Sequence, residues 1–410
     1  MKPLPLPNNS LTAPKGFAAA SAHVGIKQSK KPDLMLLVGE GPCRATAVFT
    51  TNQIPSEPVQ VDREHLKRSA SFRAIICNSG CANASTGSQG IANARTMCEA
   101  VAEQIGCKPH EVLVASTGII GQQLPMDCIT PGITKLAGEL ARGSEADLAA
   151  ARAIMTTDLV PKAAVKRVTL AGKRVTIAGI AKGSGMIAPN MATMLGFLTT
   201  DADISAPLLR AALKQAVNAD ASFNRISVDT DTSPSDTVAI LASGGAGNPP
   251  IKQANDDYQA FVTALTEVCR DLAYRVVHDG EGATHVIRVI VENAKSARDA
   301  ERIARATVDS PLVKTAVHGG DPNWGRLTTA AGKCGAAIRP EKLSVFIGRH
   351  EVYRAGQPVG VGRKQRQLEQ AMQRDEVVIR FDVGLGSARC EMLGCDLSRE
   401  YITINADYHT

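Results

Sequence analysis

The run KGSGMIAPNMATMLGFLTT, Lys182 to Thr200, constrains this 410-residue chain more than any other stretch. It is too apolar for an ordinary surface loop, and Gly183, Gly185, Pro189 and Gly196 break any helix. Proline fixes φ and glycine permits positive φ, so the segment between Lys182 and Ala192 is expected to hold a fixed, unusual path. A short apolar run, Met194 to Leu198, then reads as a strand. Ala192-Thr193 stands at the junction. A hydroxyl held stiffly where a loop enters a strand is a candidate nucleophile, provided the rest of the chain supplies partners.

The surrounding pattern alternates strands and helices. Residues 33–50 read as two strands around a Gly41-Pro42 turn, and Arg73–Cys77 as a strand leading into the polar loop NSGCANASTG. Ala94, Met97, Cys98, Val101 and Ile105 repeat at helical spacing up to a stop at Gly106. Glu111–Ala115 is a strand running into Ser116-Thr117-Gly118. A strand that ends in Thr-Gly can aim a hydroxyl and a backbone N–H in one direction, as an oxyanion hole requires; a lone TG is more often a plain turn. Residues 145–155 read as a helix. Lys166–Leu170 and Arg174–Ile180 form a hairpin about Ala171-Gly172-Lys173, which delivers the chain to Lys182.

Beyond Leu198 a helix is expected from Ser205, with Pro207 in its first turn, to about Ala219. Two strands follow around DTDTSPSD (Asp229–Asp236), then a long helix through Tyr258, Phe261, Leu265, Val268 and Leu272. Val286–Val291 and Leu343–Ile347 read as strands, Ala297–Thr307 and Gln365–Gln373 as helices, and YITINAD (Tyr401–Asp407) as a final strand. The sum is an α/β (mixed α+β) chain with mixed and antiparallel sheets between helices, not a doubly wound parallel sheet. Its length suits two subdomains.

Composition narrows the function. Charged residues make up 21% of the chain and the net charge is +6, with aromatic residues at 3%. There is no basic block or stacking platform for nucleic acid. No apolar run has the eighteen or so residues of a membrane span, and prolines interrupt the N-terminus where a signal peptide needs an apolar stretch. A cytoplasmic location is the expectation. Ten cysteines include two close pairs, Cys77/Cys81 and Cys390/Cys395, neither with the spacing of a zinc site, and they read as structural. Asp229, Asp231 and Ser233 start like a calcium loop, but Pro234 and Ile240 stand where that loop needs Gly and Glu. No metal is expected. GLGSAR (Gly384–Arg389) lacks the last glycine of a dinucleotide fingerprint, and P-loop, HExxH and GxSxG motifs are absent.

The eight histidines are scattered and none stands in a triad context. A threonine nucleophile without a histidine can use its own α-amine as base if it becomes an N-terminus. The reference pKa of an α-amine is about 7.7–8.0, so a useful fraction is neutral at pH 7. Cleavage between Ala192 and Thr193 would create that amine. The Thr193 hydroxyl can start the cut by attacking the Ala192 carbonyl from a restricted loop.

With these residues in view, KGSGMIAPNMATMLGFLTTDA resembles the self-cleaving segment of the ornithine acetyltransferase (glutamate N-acetyltransferase) family of arginine biosynthesis. Further blocks are similar to that family in the same order: GFAAASAHVGIK (16–27), AVFTTN (47–52), ICNSGCANASTG (76–87), LVASTGIIG (113–121), TTDLVPK (156–162), HDGEGATH (278–285), GGDPNWGR (319–326) and YITINADYHT (401–410). Essentially the whole chain is covered.

The resemblance implies a self-processing, N-terminal-nucleophile-like fold, cut into residues 1–192, which carry the oxyanion hole, and 193–410, which begin with the nucleophile. It implies Thr193 as nucleophile, Thr117 and Gly118 as the oxyanion pair, and Thr156, Lys182, Thr193, Glu281, Asn405 and Thr410 as substrate contacts. Thr157 remains an alternative to Thr156. The implied reaction is ping-pong: acetyl passes from N2-acetylornithine to the enzyme and then to glutamate. No cofactor is implied. Family members differ in whether acetyl-CoA is also a donor, and no CoA-phosphate motif decides it here. Two copies of each fragment are expected to associate. The competing readings are an aminopeptidase-like N-terminal nucleophile hydrolase, in which water takes the acyl group, and an uncleaved binding protein.

Overall fold

A computed structural model describes residues 1–188 and 194–407. The first half of the chain runs β1 (Phe17–Ala22), β2 (Leu34–Phe49), α1 (Glu57–Arg68), β3 (Phe72–Cys81), α2 (Gly87–Ile105) and β4 (Val112–Ile119). It continues with α3 (Met126–Gly138), α4 (Ser144–Ala153), β5 (Lys162–Leu170) and β6 (Lys173–Lys182). Next come β7 (Leu195–Thr200), α5 (Ala206–Val217), β8 (Ile226–Ser227), β9 (Thr237–Ala242) and α6 (Asp256–His278). The last part holds β10 (Val286–Ala294), α7 (Ala297–Val308), α8 (Pro311–His318), α9 (Trp324–Gly332), β11 (Ser344–Ile347), β12 (His350–Arg354) and β13 (Gln357–Pro358). It closes with α10 (Val361–Met372), β14 (Glu376–Asp382), β15 (Ala388–Cys395) and α11 (Arg399–Asp407).

Two mixed sheets organise these elements. The first has the order β4-β3-β2-β9-β7-β6-β5, with β1 also paired to β2; the second has the order β13-β12-β11-β14-β10-β15-β8. In the first sheet β3/β4 and β7/β9 run parallel and the other pairs antiparallel. Successive residues of a strand face opposite sides. In β7, Phe197 accordingly joins the apolar layer containing Phe17, Met35 and Ile75, while Leu198 joins the layer of α5 and α6. That second layer also takes in Val286 and Leu393 of the other sheet, so α6 packs between the two. Helices α1 to α3 cover the β3/β4 side through Val61, Met97, Val101, Ile129 and Ile133.

Local chemistry explains many of the boundaries. The β5–β6 turn uses Ala171 at φ 45° and Gly172 at φ 76°, the two positive values a tight two-residue hairpin needs. Helix α2 stops at Gly106, which is left-handed at φ 66°. Ser296 caps α7 by accepting the Asp299 N–H.

Two sequence expectations are corrected. Residues 34–49 form one strand, not two around a turn. Between Val38 and Cys43 the ladder shifts register, and the strand passes from pairing with β3 to pairing with β9. Gly41-Pro42 is the site of this irregularity, where a residue without an N–H costs no ladder bond. The tail is helix α11 over Arg399–Asp407, not a strand. Ser398 Oγ accepts the Tyr401 N–H at 3.3 Å, so a side-chain cap starts the helix despite its β-branched residues. Strands β7 and β9, which follow residue 192 in the chain, lie within the first sheet between β2 and β6.

Candidate active site

The functional side chains gather because several chain segments end at one place. Strand β6 ends at Lys182, which is in register with Leu195 at the start of β7. Strand β4 ends at Thr117-Gly118-Ile119, beside the end of β3. Gly118 sits at φ 132°, and a Cβ there would lie 2.3 Å from the Gly80 carbonyl carbon and 2.6 Å from the Cys81 nitrogen. Only glycine lets β3 and β4 close this tightly.

A cleft of about 120 Å³ opens where these ends meet. Thr117, Gly118, Thr156, Lys182, Glu281 and Asn405 all line it, as do Met194 and Leu195. The structure therefore brings together six of the residues singled out from the sequence. Thr157 lines the cleft too, so both threonines of that pair border the same space. Ala192, Thr193 and Thr410 lie outside the described residues.

Lys182 is 8% exposed, and its Nζ donates to Thr117 Oγ1 at 3.2 Å. That bond occupies an oxygen lone pair and leaves the threonine hydroxyl hydrogen available to another acceptor. Glu281 accepts from Asn405 Nδ2 at 2.9 Å, and the same amide donates to Tyr401 O at 3.0 Å within α11. A Cβ on Gly185 would overlap the Glu281 carboxylate, at 2.4 Å from its carbon and both oxygens. The glycine thus leaves room for this acid at the wall. The cleft presents a fixed cation and a fixed anion to whatever enters.

Sequence reasoning missed other parts of the wall. Ser233, Pro234, Ser235 and Asp236, read only as a polar turn, line the cleft, and the Thr237 N–H just beyond them donates to Met194 O at 3.0 Å. Ser235 is buried, and its hydroxyl has no partner among the described residues. Asp229, dismissed as a calcium ligand, accepts the N–H groups of Met186 and Ile187 at 2.6 and 2.7 Å and so fixes the first part of the glycine-rich segment. Lys162 is another omission: 1% exposed at its side chain, it lies 2.6 Å from both Asp158 and Asp279. TTDLVPK and HDGEGATH contain all three residues, but no spacing rule brings them together.

Charges around the cleft are strongly perturbed. Burial would raise the Asp158 carboxyl, but the ammonium groups of Lys162 and Lys182, with the Gly183 N–H, outweigh it and hold the group well below the usual carboxylate range. Burial pushes Asp279 upward, and the Lys162 contact offsets this only in part. Burial, with a contribution from Lys182, brings the Lys27 ammonium down to about 8. Cys77 and Cys390 are buried free thiols, pushed up to about 12 by burial.

Hydroxyls, a strand-end glycine, an ammonium and a carboxylate, with no histidine among the described lining residues, suit this cleft to acyl chemistry on a charged small molecule. The profile of the ArgJ family matches residues 18–410. An "Arginine biosynthesis bifunctional protein ArgJ" from Dehalococcoides mccartyi (strain CBDB1) is 46% identical over 407 residues, covering 99% of this chain and 98% of the relative. A protein of the same name from Bacillus cereus (strain ATCC 14579) is 44% identical over 405 residues, with 99% and 98% covered. Among solved structures, ornithine acetyltransferase of Mycobacterium tuberculosis complexed with ornithine is similar at 40% identity over 46% of this chain and 97% of its own, with a TM-score of 0.41. The chain belongs to the ArgJ family, and with it to the acyltransferases of arginine biosynthesis. No helix among the described residues is long and apolar enough to cross a membrane.

Proposed function

We propose that this ArgJ-family acyltransferase cuts itself between Ala192 and Thr193, then uses Thr193 to carry acetyl from N2-acetylornithine to glutamate. The observation that carries the reading is the meeting of Thr117, Gly118, Lys182, Glu281 and Asn405 around one cleft. Met194, the residue after the proposed nucleophile, lines that cleft as well.

The roles follow from the chemistry. The freed α-amine of Thr193 takes the hydroxyl proton as oxygen attacks the acetyl carbonyl. The Thr117 hydroxyl and the Gly118 N–H stabilise the oxyanion. Ornithine leaves with the proton; glutamate's neutral α-amine then attacks the acetyl ester, the acyl C–O bond to Thr193 breaks, and the proton lost by the glutamate amine returns through the Thr193 α-amine to the Thr193 oxygen. Lys182 pairs with a substrate carboxylate, which donor and acceptor share, and Glu281 holds the ornithine side-chain ammonium. Asn405 fixes Glu281; Thr156 and Thr410 supply uncharged contacts. No prosthetic group is needed, because the acyl group is carried on the chain itself. Acetyl-CoA is proposed as a second acetyl donor for glutamate. The fragments 1–192 and 193–410 stay together, two of each in the assembly.

Denaturing electrophoresis and an acetyl-transfer assay test this reading. Fragments of 192 and 218 residues are expected, with Thr193→Ala uncut and inactive. An uncut wild-type chain would overturn the self-processing step. Acetylornithine cleavage with water as the only acceptor would favour the aminopeptidase-like hydrolase. Acetyl-CoA and glutamate as sole substrates give N-acetylglutamate if the second donor is used, and nothing if it is not.

A further inference from the structure

Outside the cleft lining lies the most buried ion cluster among the described residues. Lys162 Nζ stands 2.6 Å from Asp158 Oδ1 and 2.6 Å from Asp279 Oδ2, with all three side chains 5% exposed or less. None of the three lines the cleft. Each carboxylate also accepts backbone N–H groups from a segment that does. Asp158 accepts Gly183 N–H at 2.7 Å, next to Lys182, and Thr156 N–H at 3.0 Å. Asp279 accepts the N–H groups of Leu159 at 3.1 Å and Val160 at 3.4 Å. The Asp279 carbonyl accepts Ser184 Oγ at 2.6 Å, and the Ser184 carbonyl accepts Glu281 N–H at 2.9 Å.

Three segments distant in sequence, 156–160, 182–184 and 279–281, therefore meet around one ion cluster, the middle one through Asp158 and the Asp279 carbonyl. They carry the Thr156, Lys182 and Glu281 contacts. Burying such a cluster costs desolvation that hydrophobic packing would avoid, so it is a poor device for stability alone and a good one for fixing geometry.

We propose that Lys162, with Asp158 and Asp279, is the positioning clamp of the active site, setting the spacing of Thr156, Lys182 and Glu281 and hence the fit of a zwitterionic substrate between cation and anion. The inference rests on the proposed acetyl transfer. It adds residues that act through others rather than by touching substrate.

The test pairs a charge-balanced variant with a subtle one. In Lys162→Gln/Asp279→Asn the summed charge of residues 158, 162, 182 and 279 stays at zero, so no uncompensated charge is left buried. Its kcat/KM for acetylornithine is expected to fall by about 100-fold, the cost of roughly 1 Å of misplacement, mostly as a raised KM. Ser184→Ala removes no charge and cuts only the link from Asp279 toward Glu281; it is expected to raise the same KM about tenfold. A merely structural cluster would give a lower melting temperature with unchanged KM, which overturns the clamp. If the double variant does not fold, an unchanged KM in Ser184→Ala overturns it equally. Wild-type enzyme that fails to transfer acetyl at all would refute the proposed function instead, so the two failures are distinct.

Discussion

At the scale of single residues, Gly118 shows how little freedom the site has. Its φ of 132° and the backbone atoms 2.3–2.7 Å from a hypothetical Cβ make two separate demands for glycine. Gly121, three residues on, has φ 82° with nothing within 4 Å of a Cβ, so it makes only the first demand. Gly121→Ala is therefore expected to cost about 1 kcal/mol from the left-handed backbone. Gly118→Ala should cost about 3 kcal/mol, as β3 and β4 are forced apart, and should lower acetyl transfer about 100-fold by moving the Thr117 hydroxyl. Thermal unfolding of both variants, with assays on the folded protein, checks this. Equal losses would mean that the contact with Gly80 and Cys81 is unimportant. The Thr-Gly pair itself was legible in the sequence as a strand end. What could not be read was the partner backbone of Gly80, because a close approach between strands leaves no mark on the spacing of either.

At the scale of elements, legibility followed local chemistry. The β5–β6 hairpin, the stop of α2 at Gly106 and the start of α5 after Ser205 were readable because turn and cap residues act within a few positions. The tail was misread because Tyr401, Ile402, Thr403 and Ile404 favour strands, while the Ser398 cap and the tie from Asn405 to Glu281 favour a helix. The loop bearing Glu281 is held at its far end by Asp396, another long-range anchor. Asp396 accepts the N–H groups of Thr284 and His285 at 2.7 and 2.8 Å and His318 Nδ1 at 2.8 Å. Burial would raise this carboxyl, but hydrogen bonds from His285 and Thr284 outweigh it and hold the group well below its ordinary value. A carboxylate depressed in the folded state contributes stability that is present above the unfolded pKa, about 3.9, and is lost as pH falls below it toward the folded value. Asp396→Asn is thus expected to lose about 2 kcal/mol at pH 7, with the gap to wild type narrowing below about pH 4. Denaturant titrations at pH 7 and pH 3 measure both. A gap that is constant with pH would show that the ionised form is not what matters.

At the scale of the whole molecule, strand order decides what self-cleavage can do. The first sheet runs β4-β3-β2-β9-β7-β6-β5, so two strands from beyond residue 193 are inserted among strands from before it. Strand β7 is paired on one side with β6 over Ile177–Lys182 and on the other with β9; β9 is paired with β2 over Arg44–Phe49. Apolar layers cover both faces of β7 and β9: Phe197 and Leu241 on one side, Leu198 and Ile240 on the other. Separating the fragments would break two ladders and expose both layers, at about 25 cal/mol for each Å² of apolar surface. The cut chain is therefore expected to behave as one folded body. In gel filtration without denaturant the 192- and 218-residue fragments should elute together. Cut wild type and uncut Thr193→Ala should each unfold in a single transition, the cut protein showing the greater dependence on protein concentration because its unfolding also dissociates the fragments. Fragments that part under native conditions, or a first-half transition well below that of the second, would mean that the interleaved sheet is not the unit of stability. The same interleaving puts Lys182 from one fragment opposite Leu195 from the other. The proposed cleavage after Ala192 would thus free an amine without loosening the two strand ends that frame the cleft.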